Sequence, residues 1–256
     1  MIIASHPISH NRILMDTPKY KRVLLKISGE ALAGPEGFGL DTATLNYVAQ
    51  EIKSVHDKGV EVAVVVGGGN FIRGDAFSQK GALDRSTADQ MGMMGTVING
   101  LALQAAIEKT GLPVRVQSAI TVAQVAESFI VRRARRHLEK GRVVVFAAGT
   151  GNPFFTTDTA GVLRALEIQA DVLMKATKVD GIYDRDPNKF PDAVKYEKLG
   201  YTEAIQKRLA VMDQTAFTMC QEHKMSLIVL DLNQKDSMVK AVMGENIGTL
   251  VTGDTI

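Results

Sequence analysis

The stretch Gly149-Thr150-Gly151-Asn152-Pro153-Phe154-Phe155-Thr156-Thr157-Asp158 packs backbone donors, hydroxyls and a carboxylate between the apolar run Val143 to Ala147 and a helix-like segment. Glycines let main-chain N–H groups approach an anion closely. Thr156 and Thr157 add hydroxyl donors, and a helix opening near Asp158 aims the positive end of its dipole at the same point. That inventory describes a phosphate seat. A plain strand-to-helix turn with an Asn-Pro corner and a threonine cap is the competing interpretation, but few structural needs combine all of these groups.

Three further groups share this character. In Lys26-Ile27-Ser28-Gly29-Glu30 a lysine lies inside an otherwise apolar strand, and lysine is rarely buried without an anion to meet. On the string alone, an exposed lysine on an edge strand is an equal reading. Ser28 and Gly29, a hydroxyl and a flexible backbone, favour the functional one. In Gly67-Gly68-Gly69-Asn70-Phe71-Ile72-Arg73-Gly74, three glycines after an apolar run let a helix N-terminus come close to a ligand, with Arg73 following. A tight turn would need one glycine. Finally, Lys175-Ala176-Thr177-Lys178-Val179-Asp180-Gly181 ends a strand run and leads to Tyr183 and Asp186, a ring and a carboxylate suited to a purine and its ribose.

These groups need elements to hold them. Apolar β-type runs recur at Val23 to Ile27, Val62 to Val66, Val114 to Val116, Val143 to Phe146, Val172 to Met174 and Leu227 to Leu230. Helical patterns lie between them, notably Leu45 to His56, Ala88 to Lys109, Phe129 to Glu139 and Ala160 to Ile168. Alternation of this kind predicts crossovers and a mainly parallel sheet. Nearly continuous apolar strands predict cover on both faces, hence an α/β fold built as a three-layer α/β/α sandwich. Ligands in such folds gather at the carboxyl ends of the strands. Ser28-Gly29, Gly67-Gly68-Gly69 and Gly149-Thr150-Gly151 each follow a strand run directly, so three loops are expected to meet at one cleft edge. Residues 1–19 show no clear period and are expected to form a mobile tail, leaving 20–256 as a single domain.

Composition excludes several classes. With 45% hydrophobic and 23% charged residues the chain is neither disordered nor membrane-embedded in character, and it contains no run of about 18 apolar residues. Cys220, the lone cysteine, cannot form an internal disulfide, and its surroundings resemble a buried helix. Cytoplasmic residence is the default expectation. A net charge of +2 does not demand nucleic acid or an anionic membrane as partner. The basic run Arg132-Arg133-Ala134-Arg135-Arg136-His137 spreads around a helix and lacks interleaved aromatics, so a solvated face is the better reading than nucleic-acid binding. No Gly-x-x-x-x-Gly-Lys-Ser/Thr occurs, and Gly149-Thr150-Gly151 lacks the third glycine of a dinucleotide fingerprint. Scattered histidines and a single cysteine give no metal-ligand spacing, so no protein metal site is expected.

From about Tyr20 to Thr252 the chain resembles the bacterial-type uridylate (UMP) kinases of the amino acid kinase fold family. The resemblance rests on Lys26 to Leu32, Gly67-Gly68-Gly69-Asn70, Gly149 to Asp158 and Lys175 to Gly181; the Gly-Asn-Pro-Phe-Phe-Thr-Thr-Asp run is specific to the uridylate branch. It implies phosphoryl transfer from ATP to UMP in pyrimidine nucleotide synthesis, with Mg²⁺ carried by the nucleotide. Family ATP contacts fall on Lys26, Ile27, Ser28, Gly29, Gly69, Arg73, Thr177, Tyr183 and Asp186. Those for UMP fall on Gly68, Asp89, Thr150, Gly151, Asn152, Pro153, Phe154, Phe155, Thr156 and Thr157. The N-terminal part thus carries UMP and the C-terminal part ATP. Gly34, Pro35, Glu36, Gly37, Phe38 and Gly39 match the segment that binds the activator GTP in members that use one. Inhibition by UTP and a homohexamer are also implied.

For chemistry of this kind the acceptor is already an anion and needs no protein base; the difficulty is charge, which cations and oriented N–H groups must neutralise. Lys26 is expected to stabilise the transferring group, Asp158 to hold a lysine or the metal shell in position, and Lys175 to supply a second cation. A same-fold alternative forms an acyl or carbamoyl phosphate from a small carboxylate or carbamate, acceptors that would not need the Thr156-Thr157 grip. A non-catalytic nucleotide sensor is disfavoured by the intact Lys26 and Asp158.

Overall fold

Strand β1 (Arg22–Ile27) lies at the middle of the molecule, hydrogen-bonded in parallel to β2 (Glu61–Val66) on one side and to β6 (Val172–Thr177) on the other. The computed structural model describes residues 17–72, 83–209 and 212–253. In chain order the remaining strands are β3 (Val114–Ser118), β4 (Glu127–Ser128), β5 (Val143–Ala147), β7 (Ile182–Tyr183), β8 (Lys195–Tyr196), β9 (Lys198–Gly200), β10 (Ser226–Asp231) and β11 (Thr249–Thr252). Among the described residues they form a nine-stranded sheet of order β4-β3-β5-β2-β1-β6-β10-β11-β9 and a separate antiparallel pair, β7-β8. Every pairing in the large sheet is parallel except β10 with β11. Strands β2 to β5 thus lie on one side of β1, and β6, β9, β10 and β11 on the other, so the chain fills one half of the sheet before the other. A sheet that reverses its winding this way opens a crevice at the carboxyl ends of its central strands.

The helices are α1 (Gly29–Leu32), α2 (Thr42–His56), α3 (Arg85–Glu108), α4 (Val131–Glu139), α5 (Thr157–Ile168), α6 (Tyr201–Gln206), α7 (Gln214–Glu222) and α8 (Ser237–Val242). Side chains open the longer ones. Asp41 accepts the Thr44 N–H of α2 at 2.7 Å and Asp84 the Thr87 N–H of α3 at 3.0 Å, satisfying donors that have no partner inside a helix. Leu45, Val48, Ala49, Ile52 and Val55 form the buried stripe of α2, spaced as one helix face requires.

Alternation along β1 divides the interior. Val23, Leu25 and Ile27 join a core with α2, α3 and α8, whereas Leu24 faces a second core built with α4, α5 and α7. That is the expected three-layer sandwich. Position in the sheet also decides between the two readings of Lys26: β1 is interior rather than edge, and Lys26 is only 8% exposed. Cys220 is buried in α7, where burial pushes its thiol up to about 12, so it stays protonated at neutral pH. Most of the expected tail, residues 1–16, lies outside the described residues; Lys19 is already tied to the body by its N–H, which donates to Val242 O at 2.8 Å. Among the described residues no helix is long and apolar enough to cross a membrane.

The glycine loops do meet at the carboxyl edge. A Cβ on Gly29 would stand 2.5 Å from Asn70 Oδ1, 2.7 Å from Gly69 N and 2.9 Å from Gly67 O, so only glycine permits this approach of β1's end to β2's. Gly29→Ala should therefore lower unfolding stability by about 1–3 kcal/mol, the usual cost of overpacking. Urea denaturation measures it, and an unchanged midpoint would contradict the described contact.

Candidate active site

Lys26 and Lys175 are cross-strand neighbours in register on β1 and β6. Both point to the face covered by α5, because Leu24 and Leu173, two residues earlier in each strand, belong to that core. The stem of Lys26 runs past Gly161, whose added Cβ would lie 3.5 Å from Lys26 Cγ. Like charges on adjacent strands repel. Asp158, in the first turn of α5, lies between them: Lys26 Nζ is 2.6 Å from Oδ1 and Lys175 Nζ is 2.7 Å from Oδ2. Burial by itself would raise the Asp158 carboxyl, but the two ammonium groups outweigh it and hold it below the ordinary carboxylate value. Burial pushes the Lys175 ammonium below its ordinary range, opposed by Asp158 and reinforced by Lys26. One carboxylate therefore serves two cations, and the cluster keeps a positive charge.

Helix α5 begins where the phosphate-seat reading needs it. Thr156 caps it, its hydroxyl accepting the N–H groups of Asp158 at 3.1 Å and Thr159 at 3.2 Å. The same hydroxyl donates to Asp213, which also accepts from Thr159 Oγ1 at 3.1 Å and from the Ala216 N–H of α7 at 3.0 Å. One carboxylate thus joins the N-termini of α5 and α7. Asp213 escaped the sequence reading because, beyond its local cap on Ala216, the partners that bring it to α5 lie more than fifty residues away.

On one side of the lysine cluster lies a cleft of about 240 Å³ between the Gly67 to Ile72 turn, the first turns of α3 and the loop from Ala148 to Thr157. Gly68, Gly69, Asp89, Thr150, Asn152, Phe155, Thr156 and Thr157 all line it. Gly151, Pro153 and Phe154 do not line it; Gly151 packs towards Ala119, and the Phe154 ring is 68% exposed. Phe154 acts through its backbone, its N–H donating to Asp89 Oδ2 at 2.7 Å. Asp89 is fixed from the other side by Arg85, whose Nε lies 2.9 Å from each carboxylate oxygen. Arg85 was missed, although its spacing from Asp89, one helical turn apart, was visible. Arg73 lies outside the described residues.

Buried amides hold the glycine turn. Asn70 and Asn99 exchange side-chain hydrogen bonds at 2.9 and 2.7 Å, Asn99 donates to Gly67 O at 2.6 Å, and Asn70 donates to Gly39 O at 2.6 Å. The segment Gly34 to Gly39 is thereby tied to the loop beside the cleft, with the Gly39 N–H donating to Asn70 O at 3.1 Å. Gly34, Pro35 and Glu36 form a 3₁₀ turn, Gly37 follows in a left-handed conformation, and Phe38 is exposed.

A second cleft, of about 450 Å³, opens beyond β6. Thr177, Tyr183 and Asp186 line it, together with Lys207 and Arg208, which the sequence reading did not single out. The Tyr183 hydroxyl donates to Asp180 Oδ1 at 2.5 Å, which with partial burial raises the phenol to about 12, and Lys195 holds the other oxygen of Asp180 at 2.9 Å. Ser28 caps α1 and Ile27 is wholly buried, so Ile27 can offer a ligand only its backbone. A positive cluster between two clefts, with oriented donors on one side and an aromatic wall on the other, is suited to moving a charged group between two ligands.

Comparison with known proteins identifies the family. The model of the amino acid kinase family matches residues 21–231. Over 225 residues the chain is 55% identical to the uridylate kinases of Aliarcobacter butzleri (strain RM4018) and of Sulfurovum sp. (strain NBC37-1), covering 88% of this chain and 96% of each relative. The crystal structure of UMP kinase from Bacillus anthracis superposes with a TM-score of 0.89 at 39% identity, covering 92% of this chain and 97% of that one. The chain belongs to the amino acid kinase family and, within it, to the uridylate kinases.

Proposed function

We propose that the protein transfers the γ-phosphoryl group of ATP to UMP, giving UDP and ADP. The observation that carries this reading is the Lys26–Asp158–Lys175 cluster, which adjoins the smaller cleft through Thr157, next to Asp158, and the larger through Thr177, two residues beyond Lys175. UMP occupies the smaller cleft with its phosphate towards Thr150 to Thr157, and ATP the larger one, its purine near Tyr183 and its phosphates over Ser28-Gly29 and Gly69. The second ionisation of a phosphate monoester lies near about pH 6, so the acceptor is largely dianionic at neutral pH and nucleophilic without a protein base. What remains is to bring two anions in line and neutralise the charge of a loose transition state. Lys26 faces the transferring group, Lys175 adds a second cation, and Asp158 holds both ammonium groups in place before substrate arrives.

Mg²⁺ fits this site as a passenger of the nucleotide. Both oxygens of Asp158 are held by lysines, and among the described residues no group of three acidic, histidine or cysteine side chains could hold a metal. When bound, the ion supplies charge neutralisation on the ATP phosphates. Regulation by GTP at Gly34 to Gly39 would reach the cleft through Asn70, to which Gly39 is bonded in both directions. The same reading includes UTP as inhibitor, a homohexamer and action in the cytoplasm.

Two tests follow from the cluster. Lys26→Ala should depress kcat about 100-fold to 1000-fold, the usual loss for one preorganised donor, with a smaller change in the KM for UMP. A coupled ADP-release assay over UMP, CMP, dUMP and aspartate, with and without GTP, measures it; turnover near wild type, or preference for aspartate, would contradict the proposal. Asp158→Asn should unfold more easily at neutral pH by about 3–5 kcal/mol, because two buried ammonium groups lose their carboxylate. Since the folded pKa of Asp158 is depressed, its contribution is present above the unfolded value of 3.8 and fades as pH falls through the lower folded value. Wild-type and variant melting temperatures should therefore converge on acidification below pH 3.8, and a constant gap would refute the ion-pair account.

A further inference from the structure

Thr249, the first residue of β11, is wholly buried and has no part in the site as described so far. Strand pairing nevertheless sets it in line with the lysine cluster. Lys26 pairs with Lys175, Lys175 with Val229 and Val229 with Thr249, so the four form one cross-strand row. Side chains in such a row share a face, here the one on which Val229 joins the core with α4, α5 and α7. Three strand spacings, about 14 Å, separate Lys26 from Thr249. That is close to the reach of a nucleoside triphosphate from its terminal phosphate to its base.

At its far end the row meets β7 and β8. Thr249 Oγ1 accepts the Ile182 N–H at 2.8 Å and donates to the Tyr196 carbonyl. Ile182 and Tyr196 stand opposite one another in the antiparallel pair, so a single hydroxyl holds one backbone group from each strand. The approach is close: a Cβ on Gly181 would stand 2.6 Å from that oxygen and 2.9 Å from Lys195 Cδ, a clash that glycine avoids. From this anchor the chain from Gly181 to Pro187, which carries Tyr183 and Asp186, lines the larger cleft, while Thr177 and Val229 line it from the large sheet. The width of the cleft is therefore set by the distance between a two-stranded ribbon and the sheet. A ribbon this short has little stability of its own. Ile182 adds apolar contact, but that attraction is non-directional, whereas a hydroxyl that accepts from one strand and donates to the other fixes both in place.

We infer that Thr249 is a positioning residue for the donor nucleotide, holding the β7–β8 ribbon so that Tyr183 and Asp186 stand at a set distance from the row that carries Lys26 and Lys175. The inference rests on the reading of the larger cleft as the ATP site. Among the described residues the lining of that cleft does not include Thr249, which acts through the backbone of Ile182 and Tyr196.

Steady-state kinetics of Thr249→Val, Thr249→Ala and Thr249→Ser, with the Kd of ADP measured by equilibrium titration, test this. Valine keeps the shape of the side chain and leaves the Ile182 N–H and the Tyr196 carbonyl without their partner; serine keeps the hydroxyl and loses the methyl group. In Thr249→Val and Thr249→Ala the KM for ATP and the Kd of ADP should rise together by about 5- to 30-fold, the scale of one or two lost hydrogen bonds. The KM for UMP, and kcat at saturating ATP, should stay within about twofold. Thr249→Ser should keep the KM for ATP within about twofold even where its melting temperature falls. Thr249→Ala keeps the test open if the valine variant does not fold. A KM for ATP unchanged in the hydroxyl-free variants, equal rises for ATP and UMP, or a loss in Thr249→Ser as large as in Thr249→Val would overturn the inference and leave Thr249 a packing residue. Asp186→Ala serves as the control for the cleft. If it raises the KM for ATP while the hydroxyl-free variants do not, the inference alone fails; if none of them does, it falls together with the reading of the cleft.

Discussion

Two lysines in register on adjacent central strands, with a single buried carboxylate between them, set the terms for the rest of this structure. Side by side in the interior the ammonium groups repel, and Asp158 offsets the burial that lowers the Lys175 ammonium. Asp158 in turn is placed by the first turn of α5, α5 by its Thr156 cap, and the cap by Asp213 at the start of α7. A chain of short polar contacts thus runs from the sheet through one helix to the next. Its purpose in the proposed reaction is to deliver positive charge without the reorganisation that water would require.

The sheet order explains why the cluster lies between two clefts and not inside one. Winding reverses at β1, so the loops after β1, β2 and β5 gather on one side of Lys26 and those after β6 on the other. Glycines after β1 and β2 let their backbones come close enough to share a ligand, and the paired amides of Asn70 and Asn99 stop that open turn from collapsing. The loop after β5 is held differently. Thr96 holds the Ala148 N–H of a left-handed turn from the α3 side, and Arg164 holds its Gly149 carbonyl from the α5 side.

Much of this was legible in the sequence, and for identifiable reasons. The six apolar runs became β1, β2, β3, β5, β6 and β10, because each strand is long enough to express burial on both faces. Strands β4, β7, β8, β9 and β11 were not anticipated: they carry two to four residues, too few for periodicity, and exist because neighbours supply hydrogen bonds. Lys26 was legible as an anomaly, a charge in an apolar strand, but whether it lay at an edge or the centre depended on strand order, which local pattern does not encode. Asp158 was visible from its place at a helix start. Asp213 and Arg164 were not, since the contacts that tie them to other elements, Thr156 on Asp213 and Gly149 on Arg164, form only on packing. Arg85 and Lys207 line the two clefts from a helix start and a turn whose relevance likewise appears only after folding.

The central claim is that the two lysines and their shared carboxylate face the transferring group with one nucleotide on each side. A crystal structure with UMP and a non-hydrolysable ATP analogue bound together tests it most directly. The account predicts the terminal phosphate of the analogue within hydrogen-bond reach of Lys26 Nζ, the UMP phosphate against Thr150 to Thr157, and Asp158 still in contact with at least one lysine. Nucleotides bound with their phosphates away from this cluster, or a Lys26 that stays locked on Asp158 and meets neither ligand, would contradict it.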